Sequence, residues 1–148
     1  MRRKNSSIIE FGDFQTPTYI ANSICEFLAE QGLSPRSVLE PTCGKGNLLL
    51  AALEHFPAVI KAIGMDINPH YIEHLETQLA RQKYSGVAEV FVGDFFAVNW
   101  REILAHLPEP ILIIGNPPWV TNAELSVLGS ENLPPKTNFR GLAGFSAK

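Results

Sequence analysis

Four short apolar runs alternate with amphipathic helical stretches between residues 37 and 115, and this rhythm leaves few folds open. "SVLE" (Ser37–Glu40), residues 59–66 ("VIKAIGMD"), 88–94 ("AEVFVGD") and 110–115 ("PILIIG") read as strands. Residues 47–56 read as a helix that ends before Pro57. Asn68 and Pro69 open another that runs to about Gln82, and Asn99 caps a short one. Ahead of them, "TPTYIANSICEFLAEQG" has Thr16 as N-cap, Pro17 at the first helical position and Gly32 as the stop. Ile20, Ile24, Phe27 and Leu28 fall on one face of that helix. Strands separated by helices imply right-handed crossovers, hence an α/β fold with a parallel sheet and helices on both faces. "ILII" lacks alternation, which fits a strand covered on both sides. After Trp119 the regularity fades, leaving one weak helical patch over 124–128. The chain divides into a leading segment (1–15), a folded portion (16–120) and an irregular tail (121–148).

Composition sets outer bounds. With 148 residues, 45% hydrophobic and 18% charged, the chain fits one globular domain and needs no disulfide or metal staple. Cys25 and Cys43 have no paired spacing, so a reducing, cytoplasmic setting is expected. No signal peptide or membrane span is expected. A net charge of -3 argues against a large nucleic-acid-binding surface within these residues.

In an open parallel sheet, ligands bind beyond the carboxyl ends of the strands, where strand order reverses. Here the four strands end in Glu40, Asp66, Asp94 and Asn116. Each taken singly fits a solvated strand end, and together they favour one crevice. In "LEPTCGKGNLL", Gly44 and Gly46 allow close backbone approach to a ligand and place a helix N-terminus behind it. Leu49 stands where a dinucleotide fingerprint has its third glycine, and a plain tight turn explains this loop equally well. Asp66 is placed to accept hydrogen bonds from ribose hydroxyls, each worth roughly 1.5–3 kcal/mol. Asp94 suits an exocyclic amine of adenine, or merely a turn beside Gly93.

"NPPW" is the most informative stretch. The residue before a proline is held extended, which restricts where Asn116 points. Pro117 has no N–H but keeps its carbonyl as an acceptor. The Asn116 side-chain oxygen and the Pro117 carbonyl can converge on the two hydrogens of one amino group. Trp119 can stack on the ring that bears it, worth roughly 1–3 kcal/mol. The competing reading is a proline-terminated strand with Trp119 packed on the sheet. "HYIEH" (70–74) matches a zinc pattern, but Ile72, Leu75 and Leu79 define the buried face and leave His70 and His74 facing water. No metal site is expected.

The motif order resembles the S-adenosylmethionine-dependent amino-methyltransferases, most closely the DNA adenine-N6 methyltransferases of restriction-modification systems. "FGDFQTP" (11–17) is similar to their N-terminal cofactor motif, with Thr16 and Pro17 near the methionine end. "LEPTCGKGN" is similar to their glycine loop, with Glu40, Pro41, Gly44 and Gly46 near the methionine moiety. "GMDIN" supplies Asp66 for the ribose and Ile67 against adenine; "GDFF" supplies Asp94 for the adenine amine and Phe95 beside it. "NPPW" resembles the catalytic motif, comprising Asn116, Pro117, Pro118 and Trp119, the last often tyrosine. The resemblance covers about residues 11–120. It implies a Rossmann-like methyltransferase fold with only the first four strands present, S-adenosyl-L-methionine as cofactor and methyl transfer to the N6 of a flipped adenine.

Related enzymes add further strands and a target-recognition domain. The resemblance therefore implies double-stranded DNA as partner through a domain absent here, an uncovered apolar edge at the fourth strand, and a chain inactive on DNA alone. Rival readings are a protein-glutamine or RNA methyltransferase, since both grip an amide or base amine, and a non-catalytic cofactor-binding remnant or subunit. An NAD-dependent oxidoreductase fits less well, because the third glycine is missing and NPPW would go unexplained.

Overall fold

The computed structural model describes residues 15–82 and 84–117, which fall within one compact unit. Its elements run α1 (Thr18–Glu30), β1 (Ser37–Glu40), α2 (Asn47–His55), β2 (Lys61–Asp66), α3 (Pro69–Arg81), β3 (Ala88–Val92), α4 (Trp100–Ala105) and β4 (Ile111–Ile113). The four strands form one parallel sheet in the order β3-β2-β1-β4. This is the expected α/β, Rossmann-like architecture. The chain steps outward from β1 through β2 to β3, then crosses back to pair β4 with the other side of β1. Right-handed crossovers of opposite direction put α2 and α3 on one face and α4 on the other. Strand order therefore reverses between β1 and β4, and in open α/β sheets ligands bind at the carboxyl ends of the strands at such a point.

All four residues of β1 are buried, as a central strand covered on both faces requires. The core on one face joins Val38 and Ala62 of the sheet to Leu49, Ala52 and Leu53 of α2 and Ile72, Leu75 and Leu79 of α3. The predicted buried face of α3 is therefore the observed one, and His70 and His74 are exposed. Asn68 caps α3 by accepting the His70 N–H at 3.1 Å, and Asn99 caps α4 by accepting the Glu102 N–H at 3.4 Å. Gly32, at φ +82°, ends α1 and donates its N–H to the Ala29 carbonyl.

Several expectations are corrected. Thr16 is not the N-cap of α1. Pro17 holds that position, extended at ψ 143°, and its carbonyl accepts the N–H groups of Ile20 and Ala21. The buried face of α1 is Ala21 and Cys25, with Leu28 half-buried, whereas Ile20, Ile24 and Phe27 are exposed. Small side chains let α1 lie close against α2, and that proximity outweighs the larger hydrophobes. β4 is not covered on both sides: Ile113 is 58% exposed. Among the described residues β4 pairs only with β1. The observed helix α2 and strands β2, β3 and β4 are each shorter than the stretches read from the sequence. Pro118, Trp119 and the helical patch over 124–128 lie outside the described residues. Among the described residues, no helix is long and apolar enough to cross a membrane.

Candidate active site

The loop after β1 is shaped by two glycines in the left-handed region, Gly44 at φ +51° and Gly46 at φ +78°. L-residues pay a steric cost there, so glycine is the natural occupant. Gly46 has a second reason: a Cβ would run into the Leu75 side chain, so its absence lets α2 start against α3. Both observations favour a shaped loop over a merely convenient turn.

Asp66 at the end of β2 is tied to this loop. Its Oδ2 accepts the Gly44 N–H at 2.7 Å and its Oδ1 the Asn68 N–H at 2.8 Å. A carboxylate has roughly four lone-pair sites, so each oxygen retains capacity for a hydroxyl donor. Backbone bonds extend the link. Cys43 donates its N–H to the Met65 carbonyl at 2.7 Å, and Gly93 donates to the Asp66 carbonyl at 3.0 Å. The ends of β1, β2 and β3 are thereby joined around one residue.

Glu40 is 2% exposed, and its Oε2 accepts the Leu49 N–H at 2.8 Å. Burial pushes its carboxyl well above the ordinary carboxylate range; the Leu49 N–H opposes the rise and the nearby Asp66 charge adds to it. Cys25 is pushed up to about 11 by burial and by the Glu40 charge, and Cys43 is raised by the same two causes and by Asp66. These thiols are therefore protonated and unreactive. Among the described residues, no group of three His, Cys, Asp or Glu side chains is arranged to hold a metal.

At the switch point, Gly115 leads β4 into Asn116 and Pro117. A Cβ built at Gly115 would lie 3.5 Å from Pro41 Cδ and 3.9 Å from Thr42 Oγ1, so this segment runs alongside the glycine loop with space for about a methyl group between them. The Thr42 hydroxyl is buried beside them and has no hydrogen-bond partner among the described residues. A short N-terminal strap ties both sides together. The Thr16 carbonyl accepts from Asn47 Nδ2 at 2.8 Å, and its hydroxyl accepts from Asn116 Nδ2 at 3.4 Å. Gln15 Oε1 accepts the Lys45 N–H at 2.8 Å.

The fourth strand end differs. Asp94 is exposed, and its Oδ1 accepts the Phe96 N–H at 2.9 Å, the turn geometry that competed with an amine-binding role. Phe95 packs edge-on against Phe96 and tilted against Trp100, whose Nε1 donates to the Phe95 carbonyl. Ile67 is exposed near the end of β2.

The structure therefore brings Thr16, Glu40, Pro41, Gly44, Gly46, Asp66, Asn116 and Pro117 to the carboxyl ends of the central strands, with Pro17 anchoring α1 beside them. It leaves Asp94 and Phe95 on the open rim. Gln15 and Asn47 were not singled out from the sequence. Asn47 had a signal, as a polar residue opening a helix straight after a glycine loop, whereas Gln15 had none beyond preceding Thr16 and Pro17.

No family model matches the sequence. Pairwise comparison does find relatives. Over 142 residues, 94% of this chain, it is 41% identical to the type II methyltransferase M.NspV from Nostoc sp. (strain ATCC 29411 / PCC 7524). It is 31% identical over 77% of its length to the type II methyltransferase M.XamI from Xanthomonas campestris pv. amaranthicola. This chain is a relative of the type II methyltransferases. It spans 29% and 20% of the lengths of those two proteins. Among solved structures, a Pyrococcus horikoshii protein assigned as an RNA methyltransferase matches at TM-score 0.58 and 21% identity, covering 78% of this chain and 52% of that one. The O-methyltransferase from Bacillus cereus matches at TM-score 0.55 and 13% identity, covering 74% and 50%. At such identities the likeness is one of fold, and that fold is the methyltransferase α/β sheet.

Proposed function

We propose that residues 16–120 form the cofactor-binding and catalytic part of an S-adenosyl-L-methionine-dependent DNA methyltransferase of a restriction-modification system, acting on the N6 amino group of a flipped adenine. The observation that carries this reading is the pairing of β4 with β1, which runs Gly115 and Asn116 alongside the Pro41–Thr42 loop at the switch point. It sets an amine-gripping segment beside a loop suited to a methionine moiety. The residues present fit such a cofactor: left-handed glycines, a buried Thr42 hydroxyl unpartnered among the described residues, and an Asp66 carboxylate with accepting capacity left.

When bound, S-adenosylmethionine supplies an electrophilic methyl group. The chain's own contribution is orientation. The Asn116 side-chain oxygen and the Pro117 carbonyl hold the two amine hydrogens and favour a more tetrahedral nitrogen, whose lone pair is otherwise delocalised into the base. Thr16 supports this by receiving the nitrogen end of the Asn116 carboxamide. Trp119 is the stacking plate for the base. Asp66 positions the ribose, and Asp94 with Phe95 closes the adenine side.

Calorimetric titration with S-adenosylmethionine is expected to show binding, and a labelled-methyl assay on mixed-sequence DNA reads transfer. Asn116→Ala is expected to lower transfer by about 10²-fold or more while cofactor affinity stays within about twofold. Equal loss of both would remove the role given to Asn116. Absence of cofactor binding, with tight NAD binding instead, would overturn the whole reading.

A further inference from the structure

The site contains a contact that no part of the methyl-transfer reading uses. The Gln15 carboxamide lies directly on the glycine loop. Its Oε1 accepts the Lys45 N–H, and a Cβ built on Gly44 would collide with both Oε1 and Nε2. The bareness of Gly44, which suits close approach of a ligand, is thus filled by a side chain of the same polypeptide. A carboxamide oxygen on a backbone N–H offers the loop the same acceptor as one oxygen of a ligand carboxylate, but without the charge.

The backbone that follows this side chain is anchored. Thr16 is pinned by Asn47 and Asn116, and Pro17 fixes the backbone that follows. The Lys45 hydrogen bond itself lies at the exposed side of the loop. Freeing the Lys45 N–H takes displacement of the Gln15 carboxamide from the loop.

We propose that Gln15 is a built-in competitor at the amino-acid end of the cofactor site, holding the loop N–H that a ligand's α-carboxylate takes when it enters. This rests on the cofactor reading given above. The competitor weakens the ligand's hold and keeps the loop amide satisfied between turnovers.

The test uses two probes on the full chain by calorimetry. S-adenosylhomocysteine carries the amino-acid end, and 5′-methylthioadenosine has the same nucleoside and thioether without it. Gln15→Ala is expected to tighten S-adenosylhomocysteine by about 3- to 10-fold, the worth of one displaced hydrogen bond, and to leave methylthioadenosine unchanged. Gln15→Glu, which holds the N–H more strongly and repels a carboxylate, is expected to weaken S-adenosylhomocysteine alone. Unchanged or weaker S-adenosylhomocysteine binding by Gln15→Ala, or equal changes for both probes, would overturn the proposal while leaving the cofactor reading intact. Failure of both probes to bind wild type and variant would overturn both.

Discussion

The inner and outer strand ends of this sheet are built differently. Around β1 and β2, Glu40, Gly44 and Asp66 are closed in by hydrogen bonds of 2.7–2.8 Å to loop and helix N–H groups. At β3, Asp94 satisfies only its own turn, and Phe96 stands 89% exposed. At β4, Ile113 faces outward. The inner ends are shaped before any ligand arrives, whereas the rim presents groups for something to cover. A preformed centre suits an invariant small ligand, and an open rim suits a larger and more variable one.

The sharpest way to break that contrast is to damage the inner end by a single methyl group. Gly46→Ala forces an L-residue into φ +78° and pushes a Cβ into Leu75, so a loss of about 2–4 kcal/mol is expected in urea unfolding. A loss under 0.5 kcal/mol would show that the α2–α3 junction has slack.

Glu40 gives the next largest effect. Glu40→Ala leaves the buried Leu49 N–H unpaired, with an expected cost of about 1–3 kcal/mol. Glu40→Gln keeps an acceptor and removes the charge. The native carboxyl titrates above its unfolded value, so the folded protein binds more protons between the two and loses stability as pH rises through that window. Glu40→Gln is therefore expected to flatten the pH dependence, matching wild type at acid pH and exceeding it at mildly alkaline pH. Parallel unfolding curves across pH would mean the carboxylate ionises without penalty.

On the rim, Asp94→Ala is expected to change stability by no more than about 0.5 kcal/mol, because its partner is an exposed turn N–H. A larger loss would place Asp94 with the inner group.

Legibility from sequence follows the same division. β1, the Asn68 cap and the Ile72, Leu75, Leu79 face were readable because local chemistry and burial agree there. The face of α1 was not, because close packing through Ala21 and Cys25 is a tertiary choice that periodicity of large hydrophobes cannot reveal. The strand-end residues were legible as candidates. Their division into tied and untied groups was not, since the Gln15, Thr16 and Asn47 contacts join residues about thirty to a hundred positions apart. Asp66 shows the gap best. Its place at the end of a strand suggested a ribose partner, and only the fold reveals that it also braces the loop.

That brace has a consequence in time as well as space. Asp66 and its neighbour Met65 receive N–H groups from Cys43, Gly44, Asn68 and Gly93, so three strand-end loops share one short stretch of β2 as their common acceptor. Local opening of any one of these loops therefore releases a bond at the same point of β2.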